Sequence, residues 1–216
     1  MELLSETWAY VVENQQRVQD ALIVHISLSV AALVLAMLIF IPLGVLAARG
    51  GSLTATIISV VAAFRVIPSL AVILLLLPFF GLGWRPALVA LTVLAGPPLV
   101  LNTDAGIRGV DPATLEAATG LGLTNRQRFW RVTMPLALPV IIAGIRTAAV
   151  EVIASATLAS FVGAGGLGDF ITSGVTLLDE RTLLTGGILV TLLALSTEAG
   201  LSLLERRVSP PRTNPA

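Results

Sequence analysis

The sequence predicts an all-α integral membrane protein with about five transmembrane helices. Of its 216 residues, 56% are hydrophobic and 12% are charged, whereas about 25% of the residues in a typical soluble domain are charged. A helix that crosses the hydrocarbon core needs about 20 mostly apolar residues. Five runs are long enough: 21–48, 52–80, 86–107, 136–162 and 182–204. We therefore expect residues 21–205 to form one transmembrane domain.

The distribution of arginines predicts the orientation, because cytoplasmic loops collect positive charge. All 13 basic residues are arginines. With the N-terminus outside, eight of them fall in cytoplasmic segments: Arg49, Arg108, Arg126, Arg128, Arg131, Arg206, Arg207 and Arg212. Three fall outside: Arg17, Arg85 and Arg181. We therefore expect an outside N-terminus and a cytoplasmic C-terminus.

The two ends of the chain differ from the apolar runs. Residues 1–20 mix acids with Trp8 and Tyr10, and aromatic rings of this kind sit well at the membrane surface. We expect this segment to form an interfacial helix on the outer face. Residues 206–216 include two consecutive prolines and predict a disordered cytoplasmic tail.

The composition excludes several kinds of chemistry. The chain has no Cys and a single His, His25, which argues against disulfides, thiolate metal sites and a histidine metal site. It has no Lys, so it lacks the residue that a Walker A loop places against nucleotide phosphates. Its net charge is zero, which removes the electrostatic footprint of a nucleic-acid partner. We expect no cofactor and no metal in this chain.

Residues 162–169 (VGAGGLGD) match the G-x-G-x-x-G pattern of dinucleotide-binding loops. A membrane oxidoreductase is therefore one hypothesis, and it predicts cofactor absorbance in the purified protein. Such a loop needs a strand before it and a helix after it, but an apolar run precedes these glycines. We interpret them as residues that let the backbone turn and pack closely at the end of the fourth run: Gly163, Gly165, Gly166 and Gly168.

The longest polar segment, residues 111–135 (DPATLEAATGLGLTNRQRFWRVTMP), predicts two short helices. An N-cap followed by proline starts the first helix. A glycine in a left-handed conformation ends it, and a capping box starts the second. The residues that carry these signals are Asp111 with Pro112, Gly120 or Gly122, and Thr124 with Gln127.

This segment resembles the EAA loop of ABC-importer permeases. The resemblance rests on Glu116-Ala117-Ala118, on Gly122 four residues later, and on Val132-Thr133-Met134-Pro135. Further stretches are similar to the osmoprotectant permeases, which import betaine, choline and carnitine: 67–71 (IPSLA), 135–139 (PLALP), 143–148 (AGIRTA) and 163–168. The similarity covers roughly residues 20–205. Permeases for methionine and other amino acids share the loop, so an amino-acid permease is an alternative, as is a scaffold without transport activity.

The resemblance implies a type I ABC-importer permease fold in the bacterial inner membrane, with three kinds of protein partner. Cytoplasmic ATPase subunits would hold ATP and Mg, a second permease subunit would complete the pathway, and an extracytoplasmic binding protein would recognise the solute. Residues 111–131 would form the coupling helix and its turn. The resemblance assigns ATPase coupling to Glu116, Ala117, Ala118 and Gly122.

Ionisable residues within membrane spans are functional candidates. Glu198 could pair with Arg65 or with Arg146 and lock spans together. Glu151 could help a cationic solute such as choline to pass. Broken helices in transporters often lie near the solute path, which favours Pro68 and Ser69. The resemblance also places the glycines of residues 163–168 at an external gate between paired subunits.

Overall fold

The computed structural model describes residues 2–208, apart from the side chains of residues 2, 52 and 53. Within that range the chain is helical, and no strand occurs. Four helical segments are long and apolar enough to cross a membrane, and a bent helix pair raises the number of spans to five. The predicted all-α membrane fold is therefore confirmed.

The chain begins with α1 (Glu2–Glu13) and α2 (Gln15–Ala47). Because α2 starts at Gln15, the predicted N-terminal segment 1–20 is shared between α1 and the first turns of α2. Trp8 on α1 is 70% exposed, as an interfacial anchor requires.

The second apolar run forms a broken span of α3 (Ser52–Phe64), α4 (Ser69–Leu75) and α5 (Leu77–Phe80). The helical axis bends by 94° between residues 54–64 and 69–80. Pro68 lies at the bend, directly before α4, with φ −57° and ψ 131°. This extended conformation interrupts the helical path between α3 and α4, and proline has no N–H with which to continue a helix. Arg65 follows the last residue of α3 and so lies in the break itself.

The third span consists of α6 (Trp84–Leu94) and α7 (Gly96–Arg108). Its predicted interruption at residues 96–98 is a junction between two helices that together pass as one span. Two prolines occupy the first turn of α7, where their missing N–H groups are tolerated because the first turn has no partner for them.

Two short helices connect the third and fourth spans, as predicted. The elements in this part are α8 (Pro112–Gly120), α9 (Asn125–Arg128), a π-helical turn (Phe129–Thr133), α10 (Met134–Ala156) and a 3₁₀ turn (Thr157–Val162). In the π-helical turn the N–H of Met134 donates to the carbonyl of Phe129, five residues back. Pro135 follows and cannot donate at all. The chain thus stays helical from α9 into the fourth span.

The last elements are α11 (Gly168–Leu177) and α12 (Glu180–Val208). Asp179 starts α12: its carboxylate accepts the Arg181 N–H at 3.1 Å and the Thr182 hydroxyl at 2.6 Å. Both α1 and α11 pack against α12. Residues 206–208 of the predicted tail belong to α12, and residues 209–216 lie outside the described range.

The centre of the molecule is the packing of α7 against α2 and α10. Glycines permit the close approach: a Cβ at Gly44 would come within 2.6 Å of Thr103 Cβ, and one at Gly144 within 2.6 Å of Asn102 Cβ. Small residues of this kind are typical of contacts between membrane helices. The segment 111–133 leaves the bundle at what we call the loop end, and residues 163–168 lie at the opposite, glycine end.

Candidate functional site

The segment at the loop end is a rigid turn between two helices. Asp111 caps α8, because its carboxylate accepts the Ala113 N–H at 3.1 Å and the Thr114 hydroxyl at 3.2 Å. Pro112 is the first residue of the helix, the position where proline is best tolerated. The predicted start of α8 is confirmed.

Gly122 ends α8 through a Schellman motif. The Gly122 N–H donates to the carbonyl of Thr119 at 2.9 Å, and the Leu123 N–H donates to the carbonyl of Ala118 at 3.2 Å. This pair of hydrogen bonds requires a left-handed residue at the turn, and Gly122 has φ +82°. Of the two glycines considered, Gly122 is therefore the one that turns the chain, while Gly120 is still helical.

The second helix starts with the predicted capping box. The Gln127 N–H donates to Thr124 Oγ1 at 3.3 Å, and the Thr124 N–H donates to Gln127 Oε1 at 2.9 Å. A further bond joins the two helices, since Arg128 Nη1 donates to Thr119 Oγ1 at 2.9 Å. These contacts hold α8 at a fixed angle to α9 and, through the π-helical turn, to the fourth span.

The four residues assigned to coupling do not share one environment. Glu116, Ala117 and Gly122 are exposed, so they form a surface on which a partner could dock. Ala118 is only 6% exposed and packs beneath the helix. Its small side chain therefore serves the internal packing of α8, and of the two alanines Ala117 is the one that faces outward.

An ion-pair cluster joins the fourth and fifth spans. Arg146 Nη1 lies 3.4 Å from Glu198 Oε1 and 3.3 Å from Glu205 Oε2. The structure therefore selects Arg146 as the partner of Glu198. Glu205 lies one residue past the predicted end of the fifth run, which is why the sequence did not reveal it.

The other intramembrane charges lie on an exposed face beside the broken span. Glu151 on α10 and Arg65 in the break are both exposed, and they interact electrostatically. Pro68 is also exposed and Ser69 is partly buried. Of the predicted pathway residues, Pro68 and Ser69 thus lie at the helix break together with Arg65, whereas Glu151 lies on α10 and interacts electrostatically with Arg65.

The glycine stretch is a closely packed turn. In the described chain before it, residues 2–162, there is no strand, so the stretch does not fit a dinucleotide-binding loop. A Cβ at Gly168 would overlap the backbone carbonyl of Thr157, so only glycine fits between the two backbones. A Cβ at Gly166 would lie 3.3 Å from the ring of His25. The buried His25 ring contacts the carbonyl of Ile153 through Nε2 at 3.0 Å. Gly163 is exposed, whereas Gly165 is half-buried.

Comparisons with known proteins identify the family. Residues 40–210 match the family described as "Binding-protein-dependent transport system inner membrane component". The chain belongs to this family. It is 44% identical to the carnitine transport permease protein OpuCB of Listeria monocytogenes, over 86% of this chain and 85% of the relative. It is 39% identical to the glycine betaine/carnitine/choline transport system permease protein OpuCB of Bacillus subtilis (strain 168), over 86% of each.

A solved structure shows the same fold. An inward-facing conformation of the MetNI methionine ABC transporter superposes with a TM-score of 0.83, covering 91% of this chain and 98% of the other. The identity is 22%, so this likeness concerns the fold alone. The protein is thus a multi-pass inner-membrane permease subunit of an ABC importer, a transport component and not an enzyme. Importers of this family work with ATPase and substrate-binding partners.

The structure adds a groove at the loop end of the permease that the sequence did not reveal. The groove has a volume of about 1140 Å³ and lies between the end of α2, the end of α7 and the α8–α9 turn. Its lining brings together four arginines: Arg49, Arg108, Arg126 and Arg128. They come from three separate segments of sequence, so only the fold shows that they are neighbours.

A second cavity, of about 620 Å³, lies at the glycine end between α1, α2 and α11. The Arg17 guanidinium stacks 4.9 Å from the ring centre of Phe170 and donates to the Tyr10 hydroxyl at 3.3 Å. Burial raises the pKa of the Asp169 carboxyl, and the positive charge of Arg17 partly opposes that shift. No local pattern predicted this cluster, because residues 10–17 and residues 169–170 are far apart along the chain.

Proposed function

We propose that this permease carries a quaternary-amine osmoprotectant, such as glycine betaine, choline or carnitine, into the cell. The observation that carries the proposal is its identity of 39–44% over 86% of the chain with permeases named for these solutes. The methionine transporter that shares the fold is only 22% identical. An osmoprotectant is therefore favoured over methionine as the solute.

We further propose that ATP hydrolysis on a separate cytoplasmic ATPase, which holds ATP and Mg, drives transport through residues 111–131. The hydrogen-bonded α8–α9 turn and the continuity of α9 with the fourth span support this role, because a push on α8 passes through the turn into a helix that continues as α10. Glu116 and Ala117 offer the exposed docking surface, Ala118 packs behind them, and Gly122 fixes the turn.

The proposed orientation has the N-terminus outside and the C-terminus in the cytoplasm. The clustering of four arginines in the groove at the loop end supports it, since cytoplasmic ends of spans collect positive charge. The same orientation places the glycine end at the outer face, where an extracytoplasmic binding protein would deliver the solute.

The solute path in this proposal lies between two permease subunits related by a two-fold axis. Pro68, Ser69 and Glu151 would line it near the helix break. The glycine stretch would form the external gate, with Gly163 as its exposed member and Gly165, Gly166 and Gly168 as the packed turn behind it. A charged side chain such as Glu151 is costly against lipid, which supports a place on this path.

The proposal is tested by isolating the intact importer with its binding protein and titrating that binding protein calorimetrically with glycine betaine, choline, carnitine and methionine. We expect saturable binding of at least one quaternary amine and no binding of methionine. Binding of methionine alone would show that the permease serves an amino-acid importer.

A further inference from the structure

Two opposite charges lie at membrane depth on the exposed face beside the broken span. Arg65 follows α3, whose 13 residues start at the loop end and span about 20 Å at 1.5 Å per residue. Glu151 lies about 26 Å along α10 from Met134. The hydrocarbon core is about 30 Å thick, so both side chains fall within it.

These two residues differ from the other intramembrane charges in how they are neutralised. Arg146 contacts two carboxylates at 3.3–3.4 Å. Within residues 2–208, by contrast, neither Arg65 nor Glu151 takes part in an ion pair within 4.0 Å. An electrostatic interaction links the two side chains, and neither makes a side-chain hydrogen bond in the described part of the chain.

The environment of the pair requires something other than lipid beside it. Charged side chains within spans face a bundle interior or a water-filled cavity, because exposure to lipid is costly. Both residues are exposed in the single subunit. Arg65 lies at the 94° break, where irregular backbone also needs water or protein for its polar groups, and Glu151 lies on α10, whose following 3₁₀ turn packs against α4 of the broken span. This face therefore borders protein or water rather than lipid, and the solute path proposed between paired subunits would supply such an aqueous space.

We infer that Arg65 and Glu151 form the two ends of a transient site for a zwitterionic solute in this space. This inference rests on the proposed function. The Glu151 carboxylate faces the quaternary ammonium group, and the Arg65 guanidinium donates to the solute carboxylate, a pairing that guanidinium geometry favours. When no solute is present, the two opposite charges attract each other across the empty site.

The inference separates two kinds of osmoprotectant by their chemistry. Glycine betaine and carnitine carry both an ammonium group and a carboxylate, so they use both ends of the site. Choline carries an ammonium group and a hydroxyl, so it uses Glu151 alone. Arg65 therefore determines the preference for zwitterions over cations, and Glu151 serves both.

The test measures ATP-driven uptake of radiolabelled glycine betaine and choline by the complete importer in proteoliposomes. Arg65→Gln should lower the ratio of betaine to choline uptake by about tenfold or more, the effect of losing one charge-assisted hydrogen bond. Arg65→Lys, which keeps the charge, should keep the ratio nearer to the wild type. Glu151→Gln should lower the uptake of both solutes.

For Arg65→Gln, using the ratio removes any effect of reduced assembly, because fewer active complexes lower both rates equally. For Glu151→Gln, each rate is divided by the amount of assembled importer in the proteoliposomes. Arg181→Gln is the matched control, since Arg181 is an exposed arginine paired with Asp179 at 3.5 Å, far from the break in sequence. An unchanged ratio in Arg65→Gln, or unchanged choline uptake in Glu151→Gln, would overturn the inference. If the wild type moves neither glycine betaine nor choline, and also fails to move radiolabelled carnitine supplied in the same assay, it is the proposed function that fails.

Discussion

The replacement Gly122→Ala tests whether the turn after α8 sets the geometry of the coupling segment. Gly122 has φ +82°, and no atom lies within 4 Å of the position that a Cβ would occupy. The alanine therefore meets no steric clash, and the change in free energy comes from the left-handed backbone alone. For an L-residue this costs about 1–2 kcal/mol, which reduces the population of the native turn roughly 5- to 30-fold relative to competing conformations.

Gly120→Ala is the matched control for this prediction. Gly120 lies two positions earlier, still within α8, and a Cβ there also meets nothing within 4 Å. Replacing a helical glycine by alanine stabilises a helix by about 0.5–1 kcal/mol, so the two substitutions have opposite signs. The assay is the ATPase activity of the reconstituted importer in response to loaded binding protein. Gly122→Ala should weaken that response while Gly120→Ala keeps it, and equal activity of the two variants would refute the reasoning.

Three further substitutions are expected to change the thermal stability of the detergent-solubilised protein. Gly168→Ala should destabilise it by about 1–3 kcal/mol through overpacking. Gly187→Ala should not, because a Cβ at that position meets nothing within 4 Å. Equal melting temperatures of the two variants would contradict this prediction. Arg146→Gln should lower stability by about 0.6–1.7 kcal/mol, as for polar contacts between membrane helices, and an unchanged melting temperature would show that the ion pairs contribute nothing. The hydrogen bond from Thr182 holds the pKa of Asp179 below its ordinary value of 3.8, so the carboxylate stabilises the fold above that pH. Asp179→Asn should therefore melt at a lower temperature than the wild type at pH 7, and this difference should shrink as the pH falls through the lowered pKa. A difference that does not change with pH would contradict this prediction.

Local sequence signals predicted those parts of the structure that local interactions determine. Asp111 and the capping box of Thr124 occupy their predicted places, and Gly122, one of the two candidate glycines, ends α8, because each forms hydrogen bonds within a few residues of its own position. The apolar runs also predicted the spans, because the length and hydropathy of a segment, which are local properties, decide whether its helix can cross the membrane.

The sequence could not predict what depends on the packing of distant segments. Pro68 indicated an interruption, but the angle of the bend depends on how α4 packs against α6. Glu205 became visible as a partner of Arg146 only when α10 and α12 were placed side by side. The buried position of Ala118 depends on the packing of α8 against α9 and the π-helical turn, which the sequence of α8 alone does not show.

The most direct test of the proposed function is ATP-dependent solute uptake by the purified importer, with its own ATPase and binding protein, in proteoliposomes. Radiolabelled glycine betaine, carnitine, choline and methionine would be supplied with the binding protein outside and ATP inside. We expect uptake of at least one quaternary amine that needs ATP and is reduced in Gly122→Ala. Uptake of methionine without uptake of any quaternary amine would contradict the proposed function.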